Sequence, residues 1–512
     1  MKIQRTENTT RNMFWGFGSS IIKMLLPFVA RTALLKLLGE QYLGLNGLFS
    51  SILQVLNLAD LGFGSAIVYS MYKPIANDDE NAVCSLLALY KKIYRVIGVV
   101  ILTLGLSLLP FLDNMIAGDV PADVNIRIVY LIYLLNTVIS YWMFAYKGSL
   151  LSAHQRVDVK NKISTVILFI QYGLQLGLLF VFDNYYLYLI SLPIVTMLSN
   201  IATAIAVKKL YPQYVCKGTA PDDVKQGIKK QVGGLFLSKV CGTTRNSLDS
   251  VFISSFVGLS TVAMYGNYYY ILNSVHSMLS VVGQSVLGGV GNSVAKESVD
   301  KNYADFNKMN FLYSWCVGWC CCCMLCLYQH FMRLWVGESL MFSFPTMILF
   351  CVYLYAQATT DIKNVYVDAC GLWWESRKRS VLETVVNFIL NLVLGWFFGV
   401  VGILLATLIT IVFINLIYGT KILFDNYFKE MNILAYFGRH ICFFAVTVAA
   451  SVVTLLVCEL LPTNGYVYLA LKLVICVVLP NALFFLIYFR TKPFKEAAPL
   501  LIRVFSKVLK KS

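Results

Sequence analysis

Charge is scarce in this sequence. Only 13% of its residues are Asp, Glu, Lys or Arg, against about 25% in soluble domains, and 58% are hydrophobic. That balance excludes an ordinary soluble domain and predicts an all-α polytopic membrane protein. Carboxylates are scarcer still, 26 against 42 Lys and Arg, a net charge of +16. The excess needs no nucleic-acid partner, because cations at the inner membrane face set topology and attract anionic headgroups. Histidine occurs four times, without ligand spacing. The run Cys320–Cys323 points in all directions around a helix, so neither a metal nor a cofactor is expected, and the cysteines read as small apolar fillers. Walker, kinase and hydrolase motifs are missing, which excludes an ATP-driven pump acting alone. The chain reads as a non-enzyme, since a membrane polymerase or glycosyltransferase would need catalytic loops and the outer loops are too short to build them.

Long hydrophobic runs are what the sequence has. Fourteen spans are expected, roughly at 12–38, 43–73, 88–112, 124–146, 163–183, 185–207, 231–257, 261–294, 309–332, 342–368, 380–399, 402–424, 438–460 and 466–489. Alternate loops collect Lys and Arg, from Lys91, Lys92 and Arg95 to Arg377, Lys378 and Arg379. The opposite loops hold Asp113, Asp119, Asp123, Asp183, Glu338 and Glu459 against one cation, Arg333. By the positive-inside rule both termini lie in the cytoplasm. The basic tail 490–512 reads equally as a surface helix or a disordered tail.

A repeat runs through the chain. GEQYLGLNGLFSSILQVLNLADLGFGSAIVYSMYKPIA (Gly39–Ala76) and GLSTVAMYGNYYYILNSVHSMLSVVGQSVLGGVGNSVA (Gly258–Ala295) align without a gap, matching Gly39/Gly258, Gly47/Gly266, Leu53/Leu272 and Gly64/Gly283, and the register extends forward to Tyr94/Tyr313. A duplicated membrane unit is a common transporter design. It divides the chain into an N-lobe (1–207), a cytoplasmic linker (208–230), a C-lobe (231–424) and an unrepeated pair of spans (438–489). GWFFG, with Gly395, Gly399 and Gly402, predicts a tight turn between spans 11 and 12.

Ionisable residues inside the spans are the candidate site residues, because charge at membrane depth is costly and marks pathways and partners. Lys23, Arg31, Lys239 and Arg245 are the cations; Asp60, Asp249 and Asp361 are the carboxylates. Buried pairing, Arg31 with Asp60 or Arg245 with Asp249, is one role for them. The cations, however, outnumber Asp60 and Asp249, which favours a cationic cavity for an anionic substrate. His276, aligned with Asn57, reads as a hydrogen-bonded packing residue rather than a proton relay.

YLGLNGLFSSILQVLNLADLGFGSAIVYSMYKPIA, RNSLDSVFISSFVGLSTVAMYGNYYYI and GLWWESRKRSVLETVVNFILNLVLG resemble bacterial polysaccharide and O-antigen flippases, the Wzx-type members of the multidrug/oligosaccharidyl-lipid/polysaccharide (MOP) exporter superfamily. The resemblance extends from Arg11 to about Arg490. It implies two six-helix lobes in a V, two extra C-terminal helices, and alternating access in a bacterial plasma membrane. The implied substrate is an undecaprenyl-pyrophosphate-linked oligosaccharide, with Lys23, Arg31, Lys239 and Arg245 facing the pyrophosphate or acidic sugars. Asp60, Asp249 and Asp361 are candidates for ion coupling or internal pairing. A polysaccharide polymerase and a chain-length regulator are the implied partners. The alternatives are a cation-coupled drug exporter of the same superfamily and a lipid II flippase.

Overall fold

The repeat is legible in backbone hydrogen bonds. In the computed structural model, which describes residues 22, 24–57, 63–117, 120–154, 156–222, 224–228, 247–462 and 465–497, helix α1 (24–37) ends where Leu38 N and Gly39 N both donate to Leu34 O, at 3.0 and 3.2 Å. In the second copy Val257 N and Gly258 N both donate to Ile253 O, at 2.9 and 3.0 Å. The offset is the same 219 residues that align the sequences. Gly39 (φ 108°) and Gly258 (φ 122°) sit where a side chain would be strained, and each opens a second helix.

The chain forms two compact units, Met1–Ala263 and Met264–Ser512. In the first, α2 (Glu40–Leu56), α3 (Phe63–Ala76), α4 (Glu80–Leu108), α5 (Ile126–Trp142), α6 (Gly148–Ala153), α7 (Val157–Phe182) and α8 (Tyr185–Leu210) follow in order. Short polar caps start them: Asp79 accepts from Ala82 N, Asn125 from Arg127 N and Ile128 N, and Asn184 from Tyr186 N and Leu187 N. α5 and the segment Ala145–Ala153 meet at 47°, across Phe144 in the left-handed region (φ 57°). Helix α9 (247–256) and the first turn of α10 (Leu259–Lys296) also pack on this unit. Ser254 O accepts from Ala117 N at 2.8 Å, and Leu259 joins the core with Phe49, Tyr130 and Tyr133. Gly44 permits this, because a Cβ there would lie 2.2 Å from Leu259 O.

The connection after α8 is no loose spacer. Tyr211 stacks on His154 at 4.1 Å and Ile228 enters the core beside Tyr146 and Leu150. On its exposed part, hydrogen bonding to the Lys225 ammonium holds Asp222 below the usual carboxylate range.

The second unit contains most of α10, then α11 (Val299–Val336), α12 (Phe344–Thr359), α13 (Asp361–Ala369), α14 (Trp373–Ile409), a π-helix at Thr410–Tyr418, α15 (Gly419–Asn426), α16 (Ile433–Glu459) and α17 (Tyr466–Tyr488). α10 and α11 have 38 residues each, or about 57 Å, so each exceeds a hydrocarbon core of about 30 Å. The turn expected at GWFFG lies inside α14, where Gly399 has φ 55° and ψ −130°. Asn387 Nδ2 donates to Thr407 Oγ1 at 3.3 Å, although twenty residues of straight helix would hold them about 30 Å apart. The two limbs of α14 therefore run antiparallel, with Gly402 so close to Leu394 O that a Cβ would meet it at 1.9 Å. α16 and α17 pack on α11, where Trp315 Nε1 donates to Asn481 Oδ1 (2.8 Å) and Trp319 Nε1 to Cys476 O (2.9 Å).

Among the described residues there is no strand, and seven helices are long and apolar enough to cross a membrane, or eight if the bent α5–α6 pair is one span. The all-helical membrane architecture expected from the composition is what the chain adopts.

Candidate functional site

Of the seven site residues read from the sequence, Lys23, Asp60, Lys239 and Arg245 lie outside the described residues. Arg31, on α1, is half-buried and its Nη2 donates to Ala263 O at 3.3 Å, which ties the first helix to the start of α10. Asp249 is fully buried on α9.

Asp361 is the most informative of the three that are described. The break at Thr360 between α12 and α13 places it at a helix N-terminus, where partial positive charge favours a carboxylate. Tyr313 on α11 donates its hydroxyl to Asp361 Oδ2 at 2.5 Å. His276 Nε2 on α10 is 3.3 Å from the same oxygen. Ser280, one turn beyond His276, places its hydroxyl 3.4 Å from the carboxylate and 3.5 Å from the imidazole. His276 is thus hydrogen-bonded, as expected, but its partner is an acid. The imidazole and the carboxylate are 14% and 18% exposed. Asn57, which occupies the repeat position of His276, accepts from Tyr141 at 3.3 Å. The same position is polar and cross-bonded in both copies, but only the second copy sets an imidazole against an acid.

A buried ionic network missed by the sequence reading lies beside this node. Lys363, 1% exposed, donates to Asn415 O (2.7 Å) and Asn415 Oδ1 (2.8 Å). Asn415 Nδ2 reaches Glu383 Oε1 at 3.4 Å, and Glu383 Oε2 lies 3.4 Å from Arg379 Nη1. Asn415 sits on the π-helix, a distortion that often accompanies function. The available signal was the set of polar residues Glu383, Asn387, Asn391 and Asn415 inside otherwise apolar spans. Three cysteines from α11, α16 and α17 (Cys326, Cys458 and Cys476) also bring their sulfurs within 4.8 Å of one another. No spacing along the chain announces that grouping.

In the first unit a cavity of about 820 Å³ opens between α3, α4, α6, α7 and α8. Tyr69, Tyr72, Tyr90 and Tyr94 line it together with hydroxyls such as Ser149 and Thr203 and the amide of Asn200. Lys160 is its one formal charge among the described lining residues. Tyr90 and Tyr94 share a hydrogen bond of 2.5 Å, while Tyr69 and Tyr72 form an exposed edge-to-face pair. Deeper in the unit, Asn46 Oδ1 accepts from Tyr133 and from Tyr185, the latter at 2.7 Å. The cavity is therefore aromatic and polar, almost without charge. Tyrosine was visible in the sequence, but the convergence of Tyr69 and Tyr72 from α3 with Tyr90 and Tyr94 from α4 was not.

Residues 9–287 match the family described as "Polysaccharide biosynthesis protein". No curated protein matches the chain. Among solved structures, the lipid II flippase MurJ in an inward closed conformation is similar at a TM-score of 0.69 and 14% identity, covering 93% of this chain and 98% of its own. An inward-facing multidrug resistance MATE family transporter of the MOP superfamily is similar at 0.58 and 14%, covering 78% and 93%. The Vibrio cholerae MATE transporter VcmN in its bent form follows at 0.53 and 13%, covering 83% and 98%. With the family matched over more than half of its length, the chain belongs to the polysaccharide biosynthesis protein family, and it shares its fold with these solved transporters.

Proposed function

We propose that this protein flips an undecaprenyl-pyrophosphate-linked oligosaccharide, a repeat unit of capsule, O-antigen or another exopolysaccharide, across the bacterial plasma membrane. The family match and the flippase-like fold support a transporter of lipid-linked glycans. The observation that carries the finer reading is the cavity of the first unit. Sugars present apolar C–H faces rimmed by hydroxyls, and tyrosine rings with neutral hydrogen-bonding groups are the matching surface. An organic cation would call instead for carboxylates, and none stands among the described lining residues.

In this reading Lys23, Arg31, Lys239 and Arg245 face the pyrophosphate, where guanidinium forks pair with phosphate oxygens. The His276–Asp361 pair couples transport to a proton. The lobes (1–207 and 231–424) alternate access across a membrane in which both termini are cytoplasmic, and spans 438–489 form an appendage. A polymerase and a chain-length regulator take up the product. A glutamine series at Lys23, Arg31, Lys239 and Arg245 tests the cationic cavity. Loss of transport in folded single variants supports it, and full transport by all four would overturn it.

A further inference from the structure

We propose that a second cavity, between the start of α11, the start of α16 and the segment just after α17, binds the phosphate diester of a membrane phospholipid, with Arg439 as the anchor. The cavity encloses about 300 Å³, room for a headgroup but not for a whole lipid.

Arg439 is held in place from below. Its Nη2 donates to Tyr303 Oη at 3.0 Å and to Asn307 Oδ1 at 2.8 Å, so its orientation is fixed by neutral groups. Nη1 takes no part in these bonds and is left as a charge-assisted donor for a phosphate oxygen. Beside it stands His440, 7% exposed, whose two ring nitrogens have no hydrogen-bond partner among the described residues. A buried imidazole must present a donor, and buried donors are normally satisfied. A phosphate oxygen in the cavity would accept from it.

Lys308 and Lys492 complete the cationic wall, but each already has a carboxylate, Asp305 at 3.2 Å and Glu496 at 3.8 Å. Asp300 also lines the cavity. Cations and carboxylates nearly balance here, which suits a zwitterion better than a bare anion. The matching headgroup is phosphoethanolamine, its phosphate on Arg439 and His440 and its ammonium toward Asp300 and Glu496. The cavity also lies where α11 and α16 begin and α17 ends, the level at which a membrane phospholipid presents its headgroup.

The test uses the full chain in mild detergent, washed free of co-purified lipid, with thermal unfolding followed during titration. The probes are short-chain phosphatidylethanolamine, short-chain phosphatidylglycerol, the matching diacylglycerol, and inorganic phosphate. Phosphatidylethanolamine is expected to raise the unfolding temperature saturably, phosphatidylglycerol more weakly, and the other two not at all. R439Q should weaken the response at least tenfold and K492Q several-fold, whereas K378Q, at an exposed lysine that does not line the cavity, should match the unaltered protein. Lys492 is 88% exposed, so K492Q keeps the test readable if R439Q does not fold. Equal stabilisation by diacylglycerol would overturn phosphate recognition, and equal stabilisation by inorganic phosphate would overturn the lipid as the source. A preference for phosphatidylglycerol would overturn the role of the carboxylates. An unchanged response in both R439Q and K492Q would remove the site from this cavity.

Discussion

Asp361 accepts one short hydrogen bond and faces one imidazole, and both partners come from helices far away in sequence. Removing the Tyr313 hydroxyl deletes a donor to a carboxylate, a contact worth about 1.5–3 kcal/mol. Tyr313→Phe should therefore lower the unfolding temperature in detergent, and an unchanged temperature would mean that the bond contributes nothing. Asp361→Asn keeps the shape and removes the carboxylate that faces His276. It should cut transport at least tenfold in a proton-gradient assay with the protein folded, while downhill exchange without a gradient is affected less; equal loss in both assays would leave Asp361 a structural role only. The sequence marked Asp361 as costly at membrane depth and His276 as hydrogen-bonded. It could not pair them, because helical periodicity says which face is polar but not which helices meet. Lys363 escaped for a similar reason: near a span end a lysine reads as snorkelling, and only packing shows its ammonium bonded to Asn415.

Among elements, the paired helix–turn–helix units are held by equivalent hydrogen bonds around Gly39 and Gly258. Alanine at either position is forced toward a left-handed conformation costing roughly 1–2 kcal/mol. Gly39→Ala and Gly258→Ala should both lower the unfolding temperature, measured side by side, Gly258→Ala by more because its Cβ would also lie 2.9 Å from Ala117 O. A large loss in one and none in the other would break the equivalence of the copies. Gly44→Val should be worse than either, because its Cβ would overlap Leu259 O and the core around Phe49 and Tyr130 could not close. These turns were legible in sequence because glycine is needed where φ is positive, and the GWFFG turn was legible on the same ground. The π-helix at Thr410–Tyr418 was not: its residues, TIVFINLIY, have ordinary apolar helical composition, and the bonding of Asn415 within it to Lys363 is made across elements.

At the scale of the whole molecule, the proposed transport of a lipid-linked glycan draws on the family match, the fold and the chemistry of the cavity. Composition alone announced the membrane, since burying so few charges among so many apolar residues leaves no soluble alternative. In the proposed function, Lys23, Arg31, Lys239 and Arg245 take the phosphate and the aromatic cavity of the first unit takes the sugar. Tyr72→Ala, at a 43% exposed ring on the cavity wall, should therefore slow transport several-fold at unchanged stability, read from polysaccharide export at matched protein levels; normal export would separate the cavity from the substrate. The most direct measurement is the leaflet distribution of the lipid-linked glycan in cells depleted of this protein. Precursor should accumulate on the cytoplasmic face and reach the outer face again on re-expression. Unaffected precursor together with rising sensitivity to cationic drugs would contradict the flippase and favour an exporter.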